Sequence, residues 1–311
     1  MKAVRYHSYG GSHVLIHEEA PPPVAGPGQV VVRVAGTSVN PVDVAIRAGA
    51  LQQVFPIALP HIPNVDVAGV ITEVGDGVSG WRAGDAVVAF LPMTEPGAAA
   101  EYAAAPAEAL AAAPRTVELA DAAALPAAGL TAWQSLFEHA GLKAGQSVLV
   151  NGAGGAVGGY AVQLAKRAGA TVTATASARS TDRVRSAGAD QLVDYTATPV
   201  PAAVAGRRFD VVLNLVGTSP AETVRLVDLV ADGGAFVSTT TPGPADAGRG
   251  VRTVRVFVRS DAAQLAELVA RVDAKELHIE VADRRPLAEL AAVHEQAAAG
   301  RLSGKTVLTP A

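Results

Sequence analysis

The residues with the clearest chemical potential lie between Val148 and Gly158, which read Val-Leu-Val-Asn-Gly-Ala-Gly-Gly-Ala-Val-Gly. An apolar run enters a glycine-rich turn, and a helical pattern from Val157 to Ala168 leaves it. The spacing is G-x-G-x-x-G with alanine first: Ala153-x-Gly155-x-x-Gly158. Small residues there let backbone N–H groups approach a pyrophosphate, whose charge the helix N-terminus then stabilises. Strand before and helix after make this a dinucleotide site rather than a packing turn. The tip of the next strand separates NAD from NADP, because an acid there binds the 2′-hydroxyl and repels a 2′-phosphate. It reads Thr175-Ala-Ser177-Ala-Arg179-Ser180, with two hydroxyls after the strand, one guanidinium and no acid. That composition suits a phosphate and selects NADPH. Asp182 follows, but an acid there serves the first turn of a helix that Ser180 can cap.

Other chemistries fail on spacing. Tyr102, Tyr160 and Tyr195 are followed four residues later by Pro106, Leu164 and Pro199, so the Tyr-x-x-x-Lys pair of short-chain dehydrogenases is absent. Gly300-Arg-Leu-Ser-Gly304-Lys305-Thr306 is one residue short of a P-loop. His13 and His17 could chelate on a helix, but the stretch reads as a strand of an N-terminal hairpin. His294-Glu295 lacks a second histidine, and no Ser-His-Asp set has a recognisable spacing. Asn40-Pro41-Val42-Asp43 reads as cap, first-turn proline and first-turn acid of a short helix stopped at Gly49. Asp43 and Arg47 then form an i,i+4 pair.

These groups need elements to position them. From Met1 to about Asp121 short β-rich runs (30–34, 65–74, 85–90) alternate with turn residues, as in a β-barrel-like or sandwich-like domain. From about Ala122 the rhythm becomes strand then helix, with candidate strands at 147–150, 171–175, 191–194, 210–215, 235–238 and 251–258. Continuous apolar strands with helices between them indicate a doubly wound parallel sheet, so the chain is of the α/β class. A helix at 262–272, a strand-like run after Leu277, a helix at 286–299 and a strand at 306–308 finish it.

Composition narrows the chemistry further. The chain has 311 residues, no cysteine, half its residues apolar and only 4% aromatic. Without cysteine, disulfides, thiolate metal sites and cysteine nucleophiles are excluded. A net charge of −4 with no run of like charge leaves no footprint for nucleic acid or an anionic membrane. Lys2 and Arg5 precede no apolar block, so a cytoplasmic protein is expected.

Taken together, the two halves resemble the medium-chain dehydrogenase/reductase superfamily and, within it, the zinc-free quinone oxidoreductase (zeta-crystallin-like) family. The resemblance rests on Gly36-Thr-Ser-Val-Asn40-Pro-Val-Asp43 with Arg47-Ala-Gly49, on Asp66-Val-Ala-Gly69 with Val74-Gly75 and Gly84-Asp85, and on Glu101-Tyr102. It continues through Ala124-Leu-Pro126, Leu130-Thr131-Ala-Trp133, the glycine turn, Gly188-Ala-Asp190 with Asp194-Tyr195, and Gly304-Lys305. It implies a GroES-like catalytic domain from residues 1–121 and 275–311, and a Rossmann NADP-binding domain from 122–274, with the active site in the cleft between them. It also implies a homodimer or homotetramer. Asn40 and Val65 stand where zinc-containing relatives carry their cysteine and histidine ligands, so no metal is expected. Asn40 and Thr131 would lie beside the nicotinamide, and Gly155, Ala156 and Val157 under the pyrophosphate. Ser177, Arg179, Ser180 and Tyr195 would surround the 2′-phosphate, with Thr240, Phe257 and Val258 on the nicotinamide side. Asn40, Asp43 and Thr131 are the candidate catalytic residues.

The implied reaction is hydride transfer from NADPH to a quinone or related electron-poor conjugated carbonyl, without metal. Two alternatives remain: a 2-enoyl or alkenal reductase, which needs a proton donor for the α-carbon, and a non-catalytic NADPH-binding protein. The chain departs from the family at Ala45, Leu51 and Ala99, where aromatic residues are common, and these vacancies predict a wide substrate pocket. Asn64 and Asn214, where glycine and aspartate are common, are further departures with no assigned effect.

Overall fold

Apolar residues at every second position build the strands of the first unit: Val30, Val32 and Val34 are buried on one strand, and Val67 and Ile71 on its neighbour. The computed structural model describes residues 1–310. It divides into two units, Met1–Ala127 with Ser260–Ala311, and Ala128–Arg259. The first unit opens with a hairpin, β1 (Lys2–Arg5) against β2 (Ile16–Glu19), followed by β3 (Gln29–Ser38) and helix α1 (Pro41–Arg47). Next come β4 (Asp66–Val74), β5 (Ala86–Phe90), β6 (Tyr102–Pro106) and β7 (Leu110–Ala112). His13 lies in a 3-10 turn, Ser12–Val14, rather than on the expected hairpin strand. Gly10 and Gly11 precede that turn and leave no room for a longer β2.

The second unit begins within α2 (Pro126–Trp133) and continues β8 (Ser147–Asn151), α3 (Ala156–Arg167), β9 (Thr171–Ala176), α4 (Thr181–Ser186) and β10 (Gln191–Asp194). It then runs α5 (Val200–Ala203), β11 (Phe209–Asn214), α6 (Pro220–Val227), β12 (Val230–Ser238) and β13 (Arg252–Arg255). Its six strands are all parallel, in the order β10-β9-β8-β11-β12-β13. This is the doubly wound order expected from the continuous apolar runs, and it reverses direction between β8 and β11. Val148, Leu149 and Val150 on β8 are each 0% exposed, as a central strand covered on both faces requires.

The chain returns to the first unit with α7 (Ala262–Asp273), β14 (Asp283–Pro286), α8 (Leu290–Ala298) and β15 (Thr306–Thr309). There β15 pairs with β3 and gives the larger sheet the order β14-β15-β3-β4-β5-β7, with β6 pairing with the earlier part of β3. The units divide at 127/128 and 259/260, not at the expected 121/122 and 274/275. Residues up to Ala127 stay with the first unit because the Ala127 N–H donates to the buried Asp66 carboxylate at 2.8 Å. Helix α7 joins the same unit because it packs on β7 and Asp273 accepts the Arg115 N–H at 2.7 Å. Among the described residues no helix is long and apolar enough to cross a membrane.

Candidate active site

The glycine turn follows β8, where the order of the parallel sheet reverses, and ligands bind beyond the strand C-termini at such a point. Two of its glycines have different causes. A Cβ on Gly158 would meet the Gly152 carbonyl at 2.3 Å and the Ala153 Cα at 2.5 Å, so the fold itself demands glycine there. A Cβ on Gly155 would meet nothing closer than 3.5 Å, so packing does not explain that glycine. Close approach of a ligand does, and the turn therefore fits a dinucleotide pyrophosphate. The Gly155 N–H closes the turn onto the Gly152 carbonyl at 3.1 Å. The first-turn N–H groups of α3 at Ala156 and Val157 remain for the phosphates.

The remaining cofactor candidates of this unit also gather at strand C-termini. Because β10 runs beside β9 with Asp194 opposite Ala176, Tyr195 leaves its strand at the same end as Ser177. Arg179 is exposed and Tyr195 is half exposed. Ser180 departs from expectation: it is buried, and its hydroxyl accepts the Ser177 N–H at 3.1 Å and donates back to the Ser177 carbonyl at 3.3 Å. It shapes the turn instead of facing a phosphate. Thr240 lies just past β12, and Phe257 and Val258 just past β13. The Arg255 guanidinium lies 4.9 Å from the Phe257 ring centroid, a cation that sequence patterns did not place. Arg183, likewise missed, donates to the Gly154 carbonyl. Thr131 is buried on α2. Asn214 has a structural role: it accepts from Asn151 at 2.9 Å and donates to the Val216 carbonyl at 3.0 Å, tying β11 to β8.

In the first unit Asn40 and Asp43 open α1. The Asn40 N–H donates to Asp43 Oδ2 at 2.7 Å and the Val65 N–H to Asp43 Oδ1 at 3.2 Å. The Asn40 amide is held from both sides, with Lys305 Nζ 2.6 Å from its Oδ1 and its Nδ2 donating to Asp66 at 2.8 Å. Lysine only donates and carboxylate only accepts, so the amide has one orientation. Lys305 and Asp66 form a buried ion pair at 3.0 Å, and Ser38 Oγ and the Ala127 N–H complete the carboxylate's shell. Lys305 lies 265 residues from Asn40 in sequence and immediately precedes β15, so no local pattern predicted it as a partner.

Asp43 is buried and does not pair with Arg47, whose guanidinium donates to the Gly10 carbonyl at 2.6 Å. Burial, with the nearby Asp66 charge, pushes the Asp43 carboxyl up to about 7, against the pull of the Asn40 N–H. A small pocket with room for about one water-sized group is lined by Asp43, Tyr6, His61, Asn64 and Glu95 among others. Burial lowers His61 to about 4, so its imidazole is neutral, and raises the Tyr6 phenol. Tyr6 and His61 exchange backbone hydrogen bonds of 3.0 Å, and their rings meet edge to face at 5.5 Å. Ala45 and Leu51 are half-buried, on α1 and in the turn after it. Ala99, expected to line the substrate pocket, is instead fully buried in the core beside Ala3, Val4 and Tyr6. Its N–H bonds to the Pro63 carbonyl at 3.0 Å and its carbonyl accepts from Val4 at 2.8 Å, which turns the position inward.

Residues 26–115 match the alcohol dehydrogenase GroES-like domain, and residues 187–308 match the zinc-binding dehydrogenase domain. A chloroplast envelope quinone oxidoreductase homolog of Arabidopsis thaliana is 42% identical over 253 residues, 78% of this chain and 76% of that protein. An NADPH-dependent alkenal/one oxidoreductase of the same plant is 37% identical over 77% of this chain and 62% of its own length. The structure of the quinone oxidoreductase from Coxiella burnetii superposes with a TM-score of 0.89 at 29% identity, covering 99% of each chain. The β-rich first unit and the parallel-sheet second unit are thus a GroES-like domain and a Rossmann domain. The chain belongs to the medium-chain dehydrogenase/reductase superfamily and, within it, to the zinc-free quinone oxidoreductase family.

Proposed function

We propose that this NAD(P)H-dependent reductase uses NADPH and delivers its hydride to a quinone. The observation that carries the cofactor choice is the acid-free end of β9, which is followed by Ser177 and exposed Arg179, with Tyr195 at the same end of the neighbouring strand. A guanidinium beside hydroxyls recognises a 2′-phosphate, and no carboxylate lies between Thr175 and Ser180. When bound, NADPH supplies the hydride. The chain's own part is to hold the pyrophosphate at Ala156 and Val157, to present Asn40 in one orientation, and to place Thr131, Thr240, Phe257 and Val258 around the nicotinamide side. Quinone reduction asks little more, because the hydroquinone oxygens take protons from solvent. The names of the most similar relatives support a quinone as acceptor.

One observation favours the enone reading as well. Asp43 is a buried carboxyl, protonated to a large extent at neutral pH, and it is hydrogen-bonded to Asn40. A carboxyl that titrates near neutral pH suits the proton-donor role that an enone reductase needs. With either acceptor we keep the expectation of a metal-free cytoplasmic homodimer or homotetramer, which rests on the family resemblance and the cysteine-free composition. The test is Arg179→Ala assayed with both nucleotides. The Michaelis constant for NADPH should rise about tenfold or more while that for NADH stays nearly unchanged, and equal effects refute the phosphate role. Turnover of 1,4-benzoquinone against 2-cyclohexenone then separates the two acceptors, and NADPH binding without turnover of either points to a non-catalytic protein.

A further inference from the structure

Asn64 is a strained and unsatisfied residue. Its φ is 74°, a left-handed conformation that glycine adopts freely and other residues at a cost of about 1 kcal/mol. It is 1% exposed, yet neither Oδ1 nor Nδ2 has a hydrogen-bond partner. The Tyr6 hydroxyl, on the same pocket and 0% exposed as a residue, is also unpartnered. Each such buried group costs about 1–3 kcal/mol when nothing satisfies it. The backbone around them cannot relax, because the Asn64 carbonyl accepts from Ala98 at 2.7 Å, that of Ile62 from Gly97 at 2.7 Å, and that of Val65 from Leu91 at 2.7 Å. A fixed frame holding unpaired donors and acceptors is arranged for something that enters it.

The size and charge of the pocket define that visitor. The pocket has room for about one oxygen-sized group. The unpartnered set offers an amide N–H, an amide oxygen and a hydroxyl, which together satisfy a group that both donates and accepts. Asp43 lies on the wall, the exposed Glu95 also lines it, and no lysine or arginine does, so an anionic group is disfavoured. Asn40, the residue matched to the nicotinamide side, is bonded to Asp43 and so stands beside the pocket.

We infer that Asn64 and Tyr6 form a hydroxyl socket, a specificity subsite for electron-poor carbonyl substrates bearing a neutral alcohol substituent. The inference rests on the reductase reading above and deepens it by naming the substrate class. Asn64 donates through Nδ2 to the alcohol oxygen and accepts its proton at Oδ1, and the Tyr6 hydroxyl completes the shell. A substrate lacking the alcohol leaves these groups unpaired and binds less well.

The test uses two quinones of equal size, 2-hydroxymethyl-1,4-benzoquinone and 2-ethyl-1,4-benzoquinone, with the full-length wild type, Asn64→Gly and Tyr6→Phe. The absence of cysteine removes the thiols that such quinones would otherwise alkylate. The wild type should prefer the hydroxymethyl compound by about tenfold or more in kcat/KM, and both variants should cut that preference to about twofold. Asn64→Gly folds because glycine is the residue best suited to the backbone there. Calorimetric titration of the nucleotide-free protein with both quinones, read by the same ratio, keeps the two readings apart. If neither quinone is turned over, the reductase reading falls while the binding ratio still decides the socket. Equal binding of the two quinones by the wild type, or a preference that survives Asn64→Gly, overturns the inference and leaves the pocket with an ordered water only.

Discussion

Replacing Asp43 by asparagine should change the pH dependence of stability in a direction fixed by its burial. The carboxyl titrates at 3.8 in an ordinary setting and near 7 in the folded chain. Between those values the folded state holds a proton that the unfolded state has released, so stability falls as pH rises through this window. Relative to a group that does not titrate, the wild type loses about 2 kcal/mol by pH 5 and about 4 kcal/mol by pH 8. Asparagine removes this loss but keeps only one acceptor for the Asn40 and Val65 N–H groups, a pH-independent cost of about 1–3 kcal/mol. The groups facing Asp43, namely Tyr6, Asp66, His61 and Lys305, are present in both proteins and cancel in the difference. The assay is urea unfolding at pH 5, 6, 7 and 8, followed by Trp81 in a Trp133→Phe background so that the first unit is reported. The gap between wild type and variant should shift in favour of the variant by about 2–3 kcal/mol from pH 5 to pH 8, about 1 M in urea midpoint. A gap that stays constant across this range refutes a buried, proton-holding Asp43.

Two further outcomes follow from buried groups of the first unit. His294 is 0% exposed with both ring nitrogens unpartnered, and burial, aided by the Arg47 charge, lowers it to about 3. A lowered histidine gives stability that is present above 6.5 and lost as pH falls toward 3, so His294→Leu should move the acid-unfolding midpoint to lower pH and raise stability at pH 7 by about 1–2 kcal/mol, both read by circular dichroism. Lys305→Met leaves Asp66 buried without its cation and should cost about 3–5 kcal/mol in urea unfolding. Adding Asp66→Asn should recover much of that stability while kcat stays low and the Michaelis constant for NADPH changes little, because the Asn40 amide has lost its fixed orientation.

What could be read without coordinates was local. Asn40, Pro41 and Asp43 place the start of α1, and Gly49 with φ 84° ends it, because capping chemistry acts over a few residues. The strands of the parallel sheet are legible because both faces are covered and the apolar runs are continuous. Facing and partnership were not legible. Ala99 has the same identity whether it looks into a cleft or a core, and only its bonds to Val4 and Pro63 show the core. Ser180 reads equally well as a cap or a phosphate ligand until its hydroxyl is seen closing its own turn. The allegiance of α7 depends on β7 and Arg115, more than 140 residues earlier. One signal was present and unused: Asn64 stands where the family resemblance carries glycine, and asparagine is a residue that tolerates positive φ.

The polar groups buried in the first unit fall into two sets that differ in one physical respect. Around Asp66 the bonding is complete: Ser38, Asn40, Ala127 and Lys305 use both carboxylate oxygens, and Asn40 is locked between an anion and a cation. Such a set has nothing to gain by moving, and it can hold one side chain in a single pose. Around Asp43 the bonding is incomplete, with unpaired atoms on Tyr6 and Asn64, which line the same pocket. An incomplete set gains whenever a complementary group arrives, so its free energy changes with ligand and with proton. The two sets meet at Asn40, whose side chain belongs to the first and whose backbone N–H belongs to the second. Asn40 thereby joins a fully bonded, rigid set to an incompletely bonded one within the first unit.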